Sequence, residues 1–177
     1  MYTLNTVLGR GSYGIIMRCN KILPDDSEKE VLLKINTVDH EEPLSFSANV
    51  SEPVNMKRFS HPNVIKLEEV SVSRNNLKDI FMNEEDVKTI QSLANRMHYQ
   101  KIDNILMEIE KGDSDLSGIT EENEMTRKKI LVDVLLGLEH LHQNGIAHLD
   151  LKDNNIIRKG NTIRFVTSGW PLSRDLR

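Results

Sequence analysis

A glycine-rich turn near the amino terminus constrains the fold of this chain more than any other sequence feature. An apolar segment at residues 2–8 runs into the sequence GRGSYG at positions 9–14, and a second apolar segment follows at 15–17. Because β-prone residues follow the glycines, the pattern predicts an antiparallel hairpin rather than the strand-turn-helix unit of a dinucleotide-binding fold. Glycines also let backbone N–H groups approach phosphate oxygens, so the turn fits both an ordinary hairpin and a phosphate-binding loop.

Further short strands and two helices are expected in the first two thirds of the chain. Apolar runs bounded by turn signals predict strands at 30–35, 64–72 and 102–109. A helix is expected from Glu52 to Phe59, after a loop that contains Pro43.

Two further residues set the expected helix starts. Pro53 is tolerated only in a first turn, so the first helix should begin near Ser51. A second helix should follow Asn83, where three acidic residues suit a helix N-terminus, inside an insertion at about 73–103.

The last third of the chain has the pattern of one long helix followed by two short strands. The apolar positions that mark one helix face are Ile130, Leu131, Val134, Leu135, Leu138 and Leu141. Asn144-Gly145 should end this helix, and strands are expected at 156–157 and 163–166. Together these patterns predict an α+β fold with a β-rich part at 1–110, carrying the inserted helix, and a helical part at 111–177.

Composition excludes several functions. The 177 residues are enough to bury a core, and the formal net charge of −4 argues against nucleic acid as a partner. No run approaches 18 apolar residues, so no membrane partner is expected. The single cysteine, Cys19, rules out an internal disulfide and indicates a reducing, cytoplasmic location.

Several charged residues lie at positions where their charge suggests a functional role. Lys34 lies within an apolar strand, where a lysine is costly without an anionic partner. Glu52 follows in the first helix, and Met107-Glu108-Ile109 end a strand. The sequence HLDLKDNN at 148–155 comes directly after the long helix.

In order and spacing, this set resembles the eukaryotic-type Ser/Thr protein kinases. The resemblance extends from Leu8 to about Trp170, and its most specific element is the spacing of Asp150, Lys152 and Asn155 after the long helix. It implies a kinase-like α+β fold with a small β-rich lobe, an inserted helix and a truncated helical second lobe. It also implies ATP as the nucleotide and a protein as the substrate.

The resemblance assigns roles to residues of the β-rich part. Gly9, Gly11 and Gly14 would cover the ATP phosphates, and Ile16 would pack on the adenine. Lys34 would neutralise the α- and β-phosphates.

The family pattern also assigns the end of the strand at 102–109. Met107 would be the gatekeeper, and backbone groups of Glu108 and Ile109 would hold the adenine edge. Glu52 would pair with the phosphate-binding lysine, although Pro53 beside it puts that pair in question.

The same resemblance makes the segment after the long helix a catalytic loop. Asp150 would accept the proton of the substrate hydroxyl, and Lys152 would contact the γ-phosphate. Asn155 would be a Mg²⁺ ligand. Where the family has Asp-Phe-Gly, this chain has Thr167-Ser168-Gly169, so a second Mg²⁺ ligand is missing and Mg²⁺ is a doubtful cofactor.

Two functions from different classes therefore remain open at the level of sequence. One is a Ser/Thr kinase homologue that binds ATP and transfers its γ-phosphate weakly. The other is a non-catalytic pseudokinase, a kinase mimic that binds a full-length kinase or its regulator. The residue at 167 and the few residues after it favour the mimic, whereas Asp150 and Lys152 favour the enzyme. A degraded remnant that folds poorly is a third possibility.

Overall fold

The computed structural model describes residues 1–11, 14–39, 43–74, 77–94, 102–117, 123–166 and 170–171. The strands are β1 (Tyr2–Gly11), β2 (Gly14–Ile22), β3 (Glu28–Asp39), β4 (Leu67–Arg74), β5 (Ile102–Ile109), β6 (Ser114–Asp115), β7 (Ile146–Ala147), β8 (Ile156–Lys159), β9 (Thr162–Phe165) and β10 (Trp170–Pro171). The α-helices are α1 (Pro43–Arg58), α2 (Glu84–Ala94) and α3 (Glu124–Gln143). The predicted α+β class is confirmed.

The chain divides into two compact units. The first contains Met1–Val50 and Leu67–Glu110, and the second contains Ser51–Lys66 and Lys111–Arg177. Residues 51–66 thus group with the second unit, and the limits at 110 and 111 as domain boundaries stay a prediction.

The first unit is built on an antiparallel five-stranded sheet with the strand order β1-β2-β3-β5-β4. The glycine-rich turn joins β1 to β2, so the predicted hairpin is confirmed. The predicted strand at 64–72 begins later, at Leu67. Residues 64–65 belong to the second unit instead. There Val64 forms a bridge with Phe165, and the Ile65 N–H donates to the Phe165 carbonyl at 3.0 Å.

The predicted inserted helix is confirmed as α2, and it packs on one face of this sheet. The buried cluster there includes Val87 and Ile90 from α2, Ile80 and Phe81 before it, and Leu33 from β3. Since these side chains share one core, the segment between β4 and β5 completes the first unit. Residues 95–101, where the helical pattern was expected to reach Met97, lie outside the described residues.

The predicted start of the first helix is wrong, whereas its predicted end at Phe59 lies within one residue of the observed end. Helix α1 begins at Pro43, about nine residues before the expected start, and Pro53 lies in its interior. Pro43 stands at the first helical position, where a missing N–H costs nothing. The buried side chains of Asn49, Glu52 and Met56 show that packing holds the helix through Pro53 despite the local penalty.

The second unit is organised around α3 and the hairpin of β8 and β9. Its core contains Phe59, Val64, Val134, Leu141, Ile146, Ile156, Ile163 and Phe165. The side chain of Asn123 caps α3 by accepting a hydrogen bond from the Thr126 N–H at 2.9 Å. Asn144 and Gly145, whose φ is +75°, end the helix as predicted.

The predicted face of α3 is confirmed at Ile130, Val134, Leu138 and Leu141, which form or pack against the core, and is wrong at Leu131 and Leu135. Leu131 and Leu135 are 59% and 54% exposed, whereas Val134, Gly137 and Leu141 are buried. The inward stripe is centred on Gly137 because the Phe165 ring occupies the space where a β-carbon would lie. No helix in the described part of the chain is long and apolar enough to cross a membrane.

Candidate active site

The sheet aligns three of the predicted nucleotide-binding side chains in one row. Ile16 pairs with Lys34 across β2 and β3, and Lys34 pairs with Met107 across β3 and β5. Directly paired residues share a face of a sheet, so the aliphatic stem of Lys34 lies between the side chains of Ile16 and Met107. Lys34 and Met107 are both buried. Gly9 pairs with Ile16 at the β1 end of the row.

The glycine turn is closed by a pair of glycines. Gly11, the last residue of β1, pairs with Gly14, the first residue of β2, while residues 12–13 between them lie outside the described residues. A β-carbon at position 14 would collide with the Ile35 carbonyl oxygen and the Asn36 side chain on β3. Only glycine therefore allows β2 to approach β3 this closely at the turn.

The end of β5 has one side chain on each face of the sheet. Met107 and Ile109 share the face of Lys34, while Glu108 between them points to the other face because side chains alternate along a strand. Both Glu108 and Ile109 are buried. The two residues expected to hold the adenine edge thus lie in a well-packed strand end.

Glu108 has partners that the sequence did not predict. Its Oε1 accepts hydrogen bonds from Tyr2 Oη at 2.6 Å and from Lys21 Nζ at 2.6 Å. Lys21 Nζ also donates to Glu69 Oε2 at 2.5 Å. Tyr2 and Glu108 are 106 positions apart, so no local pattern would have joined them.

These bonds fix the protonation states of the network. Burial raises the pKa of the Tyr2 phenol, and the bond to Glu108 raises it further, so the phenol stays a donor. Burial lowers the pKa of Lys21, but its bonds to Glu108 and Glu69 more than compensate, so its pKa is raised overall. In this network a neutral phenol and an ammonium group therefore both donate to the Glu108 side chain.

Glu52 lies on α1 and is buried. It belongs to the second compact unit, whereas Lys34 belongs to the first, and each is described within its own unit. The Lys34–Glu52 ion pair stays a prediction.

The predicted catalytic residues converge in the second unit. Asp150 Oδ2 accepts hydrogen bonds from Lys152 Nζ at 2.9 Å and from Asn155 Nδ2 at 3.0 Å. Asn155 Nδ2 also donates to the Asp150 carbonyl at 2.8 Å, which closes the loop on itself. The bond from Lys152 lowers the pKa of Asp150, partial burial opposes this shift, and the Asn155 bond lowers the pKa further, so that the pKa is lowered overall. Asp150 is therefore an exposed, ionised carboxylate that two side chains hold in place.

A buried histidine holds this loop from the inside. His148 Nε2 lies 2.7 Å from the Val166 carbonyl and donates to it, while the Asp150 N–H donates to His148 Nδ1 at 3.3 Å. A ring that both donates and accepts is neutral, and burial lowers the pKa of His148. The Val166 N–H donates to the Asn155 carbonyl at 3.0 Å. His148 thus has a structural role in this loop.

Leu149 forms the bend between the buried His148 and the exposed Asp150. Its φ is +60°, a left-handed conformation that is uncommon for a leucine, and its side chain is exposed. The bend turns consecutive side chains to opposite sides of the loop, one into the core and one to the surface.

Asn155 fits one position of a divalent metal site. Its two described hydrogen bonds use Nδ2, which leaves the Oδ1 acceptor for a cation. The described residues contain no group of three or more His, Cys, Asp or Glu that could hold a metal ion, and residues 167–169 lie outside them. Among the described residues, the donors therefore fit a single amide ligand, Asn155.

Comparison with known proteins gives the family. Residues 2–166 match the family model of the protein kinase domain. The chain is 30% identical over 156 residues to mitogen-activated protein kinase 4 of Oryza sativa subsp. japonica, covering 87% of this chain and 36% of that protein. It is 30% identical over 155 residues to cyclin-dependent kinase 10 of Homo sapiens, covering 85% and 35%. A probable serine/threonine-protein kinase of Arabidopsis thaliana is 27% identical over 150 residues, covering 85% and 22%.

This chain belongs to the protein kinase family, of the eukaryotic Ser/Thr type, which confirms the resemblance drawn from its motifs. It spans 22–36% of the length of these relatives.

Proposed function

We propose that this chain binds ATP and transfers its γ-phosphate slowly to a Ser or Thr hydroxyl of a protein. The observation that carries the proposal is the cluster in which Lys152 and Asn155 both bond Asp150 Oδ2. This cluster presents an ionised acid beside a cation at the family's spacing. Positioning and charge neutralisation of this kind supply most of the catalysis in phosphoryl transfer.

The row on the sheet supports nucleotide binding. Lys34 would neutralise the α- and β-phosphates beneath the turn of Gly9, Gly11 and Gly14. Ile16 and Met107, which flank Lys34 in the row, would contact the adenine.

Three further residues complete the proposed nucleotide site. Backbone groups of Glu108 and Ile109 would bond the adenine edge, and Glu52 would pair with the ammonium group of Lys34. The buried, neutral Cys19 suits the cytoplasm as the compartment.

In the transfer step, the substrate hydroxyl oxygen forms a bond to the γ-phosphorus while the bond to the β,γ-bridging oxygen breaks, and ADP leaves. Asp150 accepts the hydroxyl proton, and Lys152 balances charge on the transferring group. When bound, Mg²⁺ supplies further neutralisation of the phosphate charge, and Asn155 would hold it through Oδ1. Thr167 offers a neutral hydroxyl where the family has a carboxylate. A loss of ~4 kcal/mol in metal assistance would slow the step roughly a thousandfold.

A γ-phosphate transfer assay on a generic protein substrate tests this function. We expect Asp150→Asn to reduce the rate at least about a hundredfold, because the amide cannot accept the proton. Asp25→Asn, the same change in an exposed turn of the first unit, is the matched control and should keep the wild-type rate. Equal rates in wild type and Asp150→Asn would remove Asp150 from any catalytic role.

One observation favours the pseudokinase as a second candidate. Besides Met125 in its first turn, α3 exposes four large apolar side chains in its middle, namely Leu131, Val132, Leu135 and Leu136. An exposed apolar patch of this kind is typical of interaction surfaces and suits a full-length kinase or its regulator as the partner.

Thermal unfolding with ATP, with and without Mg²⁺, separates the two candidates, because a ligand that binds the native state raises its melting temperature. Mg²⁺-independent stabilisation without phosphate transfer favours the pseudokinase. Mg²⁺-dependent stabilisation together with transfer that requires Asp150 favours the enzyme.

A further inference from the structure

A polar network lies on the face of the sheet opposite the row of Ile16, Lys34 and Met107. Its centre is Glu108, whose side chain is 6% exposed. Tyr2 Oη and Lys21 Nζ, each at 2.6 Å, donate to the same carboxylate oxygen, Oε1. Lys21 in turn bonds the exposed Glu69, the ladder partner of Glu108 on β4.

The Glu108 carboxylate is held firmly because the loss of its hydrogen-bond partners would be costly. A buried charge without partners loses its hydration, whereas charge-assisted hydrogen bonds at this distance are among the strongest in proteins. The Glu108 side chain therefore cannot leave its position without breaking both bonds. Since Glu108 is flanked in β5 by Met107 and Ile109, the fixed side chain also fixes the backbone at the end of this strand.

The inserted segment holds the phenol in place. The Tyr2 N–H donates to the Ile80 carbonyl at 2.8 Å, and the Met82 N–H donates to the Tyr2 carbonyl at 3.0 Å. Tyr2 forms a parallel bridge with Phe81, and the two rings lie 6.4 Å apart. The segment before α2 thus contacts Tyr2, and Tyr2 in turn bonds Glu108 at the end of β5.

We propose that Tyr2 and Lys21 are positioning residues for the adenine end of the nucleotide site. By holding the Glu108 carboxylate on the face of the sheet that packs against the inserted segment, they fix the backbone at the end of β5, where groups of Glu108 and Ile109 would bond the adenine edge. This inference rests on the proposed binding of ATP. It assigns the inserted segment a part in nucleotide affinity that is separate from the phosphate contacts.

Tyr2→Phe removes one donor and keeps the ring in its core position. Isothermal titration calorimetry with adenosine and with inorganic tripolyphosphate separates the two halves of the nucleotide. We expect adenosine to bind about threefold to tenfold more weakly, as for the loss of one buried hydrogen bond, and tripolyphosphate affinity to stay within about twofold. A general loss of structure would weaken both ligands together.

Matched variants complete the experiment. Asn5→Ala breaks an exposed β1–β2 side-chain bond, from Asn5 Nδ2 to Asn20 Oδ1 at 2.8 Å, and should leave both affinities unchanged. Lys21→Met should reproduce the selective loss of adenosine binding, and Lys21→Arg should restore it. Because Lys21 lies partly at the surface, these two variants also test the inference if Tyr2→Phe does not fold.

The outcomes distinguish this inference from the function it rests on. If the wild type binds neither adenosine nor ATP, the proposed function fails and this inference fails with it. If the wild type binds both, and Tyr2→Phe and Lys21→Met change adenosine and tripolyphosphate affinity equally or not at all, only the positioning role is overturned.

Discussion

At the scale of single residues, the surroundings of Asp150 decide its charge. The carboxylate bonds Lys152 and Asn155 and lies largely in solvent, so its pKa is below the ordinary value of 3.8. A lowered pKa means that stability from these bonds is present above the ordinary value and is lost as the pH falls through the folded value. Protonation of Asp150 therefore should not limit any activity between about pH 5 and 7.

Removing the cation should raise this pKa. We expect Lys152→Met to move the pKa of Asp150 up toward its ordinary value, because the largest favourable contact of the carboxylate is lost. A titration of the side-chain carboxyl followed by ¹³C NMR measures the change. Lys128→Met, which breaks the exposed pair with Glu124 on α3, is the control and should leave the pKa of Asp150 unaltered. An unchanged value in Lys152→Met would contradict the pairing.

At the scale of elements, the contact between α3 and β9 depends on a missing side chain. A β-carbon at Gly137 would collide with the Phe165 ring and approach the Asn63 carbonyl. We expect Gly137→Ala to lower the free energy of unfolding by about 1–3 kcal/mol, as other overpacked cores do. Urea denaturation measures it.

The control for this change is its neighbour. Leu136 is exposed on the same helix, so Leu136→Ala should change stability by less than about 0.5 kcal/mol. If the two variants were equally stable, α3 would not approach β9 as described.

Helix α2 offers a second test at this scale. Ile90 is almost fully buried between the helix and the sheet, so Ile90→Ala should cost about 2–4 kcal/mol through lost burial and a cavity. The adjacent Gln91 is exposed, and Gln91→Ala should be nearly neutral. Chemical denaturation of both variants gives the comparison. A negligible loss in Ile90→Ala would mean that the insertion is not part of the core.

At the scale of the whole molecule, two histidines make stability depend on pH. Burial lowers the pKa of His148 below 6.5, and burial together with the neighbouring His140 lowers that of His61. The rings of His61 and His140 stack with centroids 4.8 Å apart, and the Asn63 N–H donates to His61 Nδ1 at 3.1 Å. Both His61 and His148 are therefore neutral in the folded chain near pH 7.

The sign follows from which state binds protons more readily. The unfolded chain takes up protons near pH 6.5, while the folded chain resists them until lower pH, so the free energy of unfolding decreases as pH falls through this window. We expect a lower urea midpoint at pH 5.5 than at pH 7.5. His148→Asn and His61→Asn should each reduce this difference, whereas His142→Asn, at an exposed position, should not. An identical pH difference in all four proteins would contradict this account.

Local patterns in the sequence were sufficient for several elements. The glycines before Ile15 predicted the hairpin, the acidic residues after Asn83 predicted the start of α2, and Asn144-Gly145 predicted the end of α3. The spacing of Asp150, Lys152 and Asn155 indicated the family, and the structure brings these three side chains together in one cluster. In each case the signal lies within a few residues, where propensity, capping and turn chemistry act directly.

By itself, the sequence therefore determined the first hairpin, the start of α2, the end of α3 and the loop that carries the acid. Only the tertiary structure decided that α1 continues through Pro53, that α3 buries Gly137 rather than Leu135, and that Tyr2 reaches Glu108. The physical reason is distance along the chain. Packing and buried hydrogen bonds join residues that are far apart in sequence, and the free energy of these contacts overrides local preferences of up to about 1 kcal/mol for most residues and about 3 kcal/mol for a proline inside a helix.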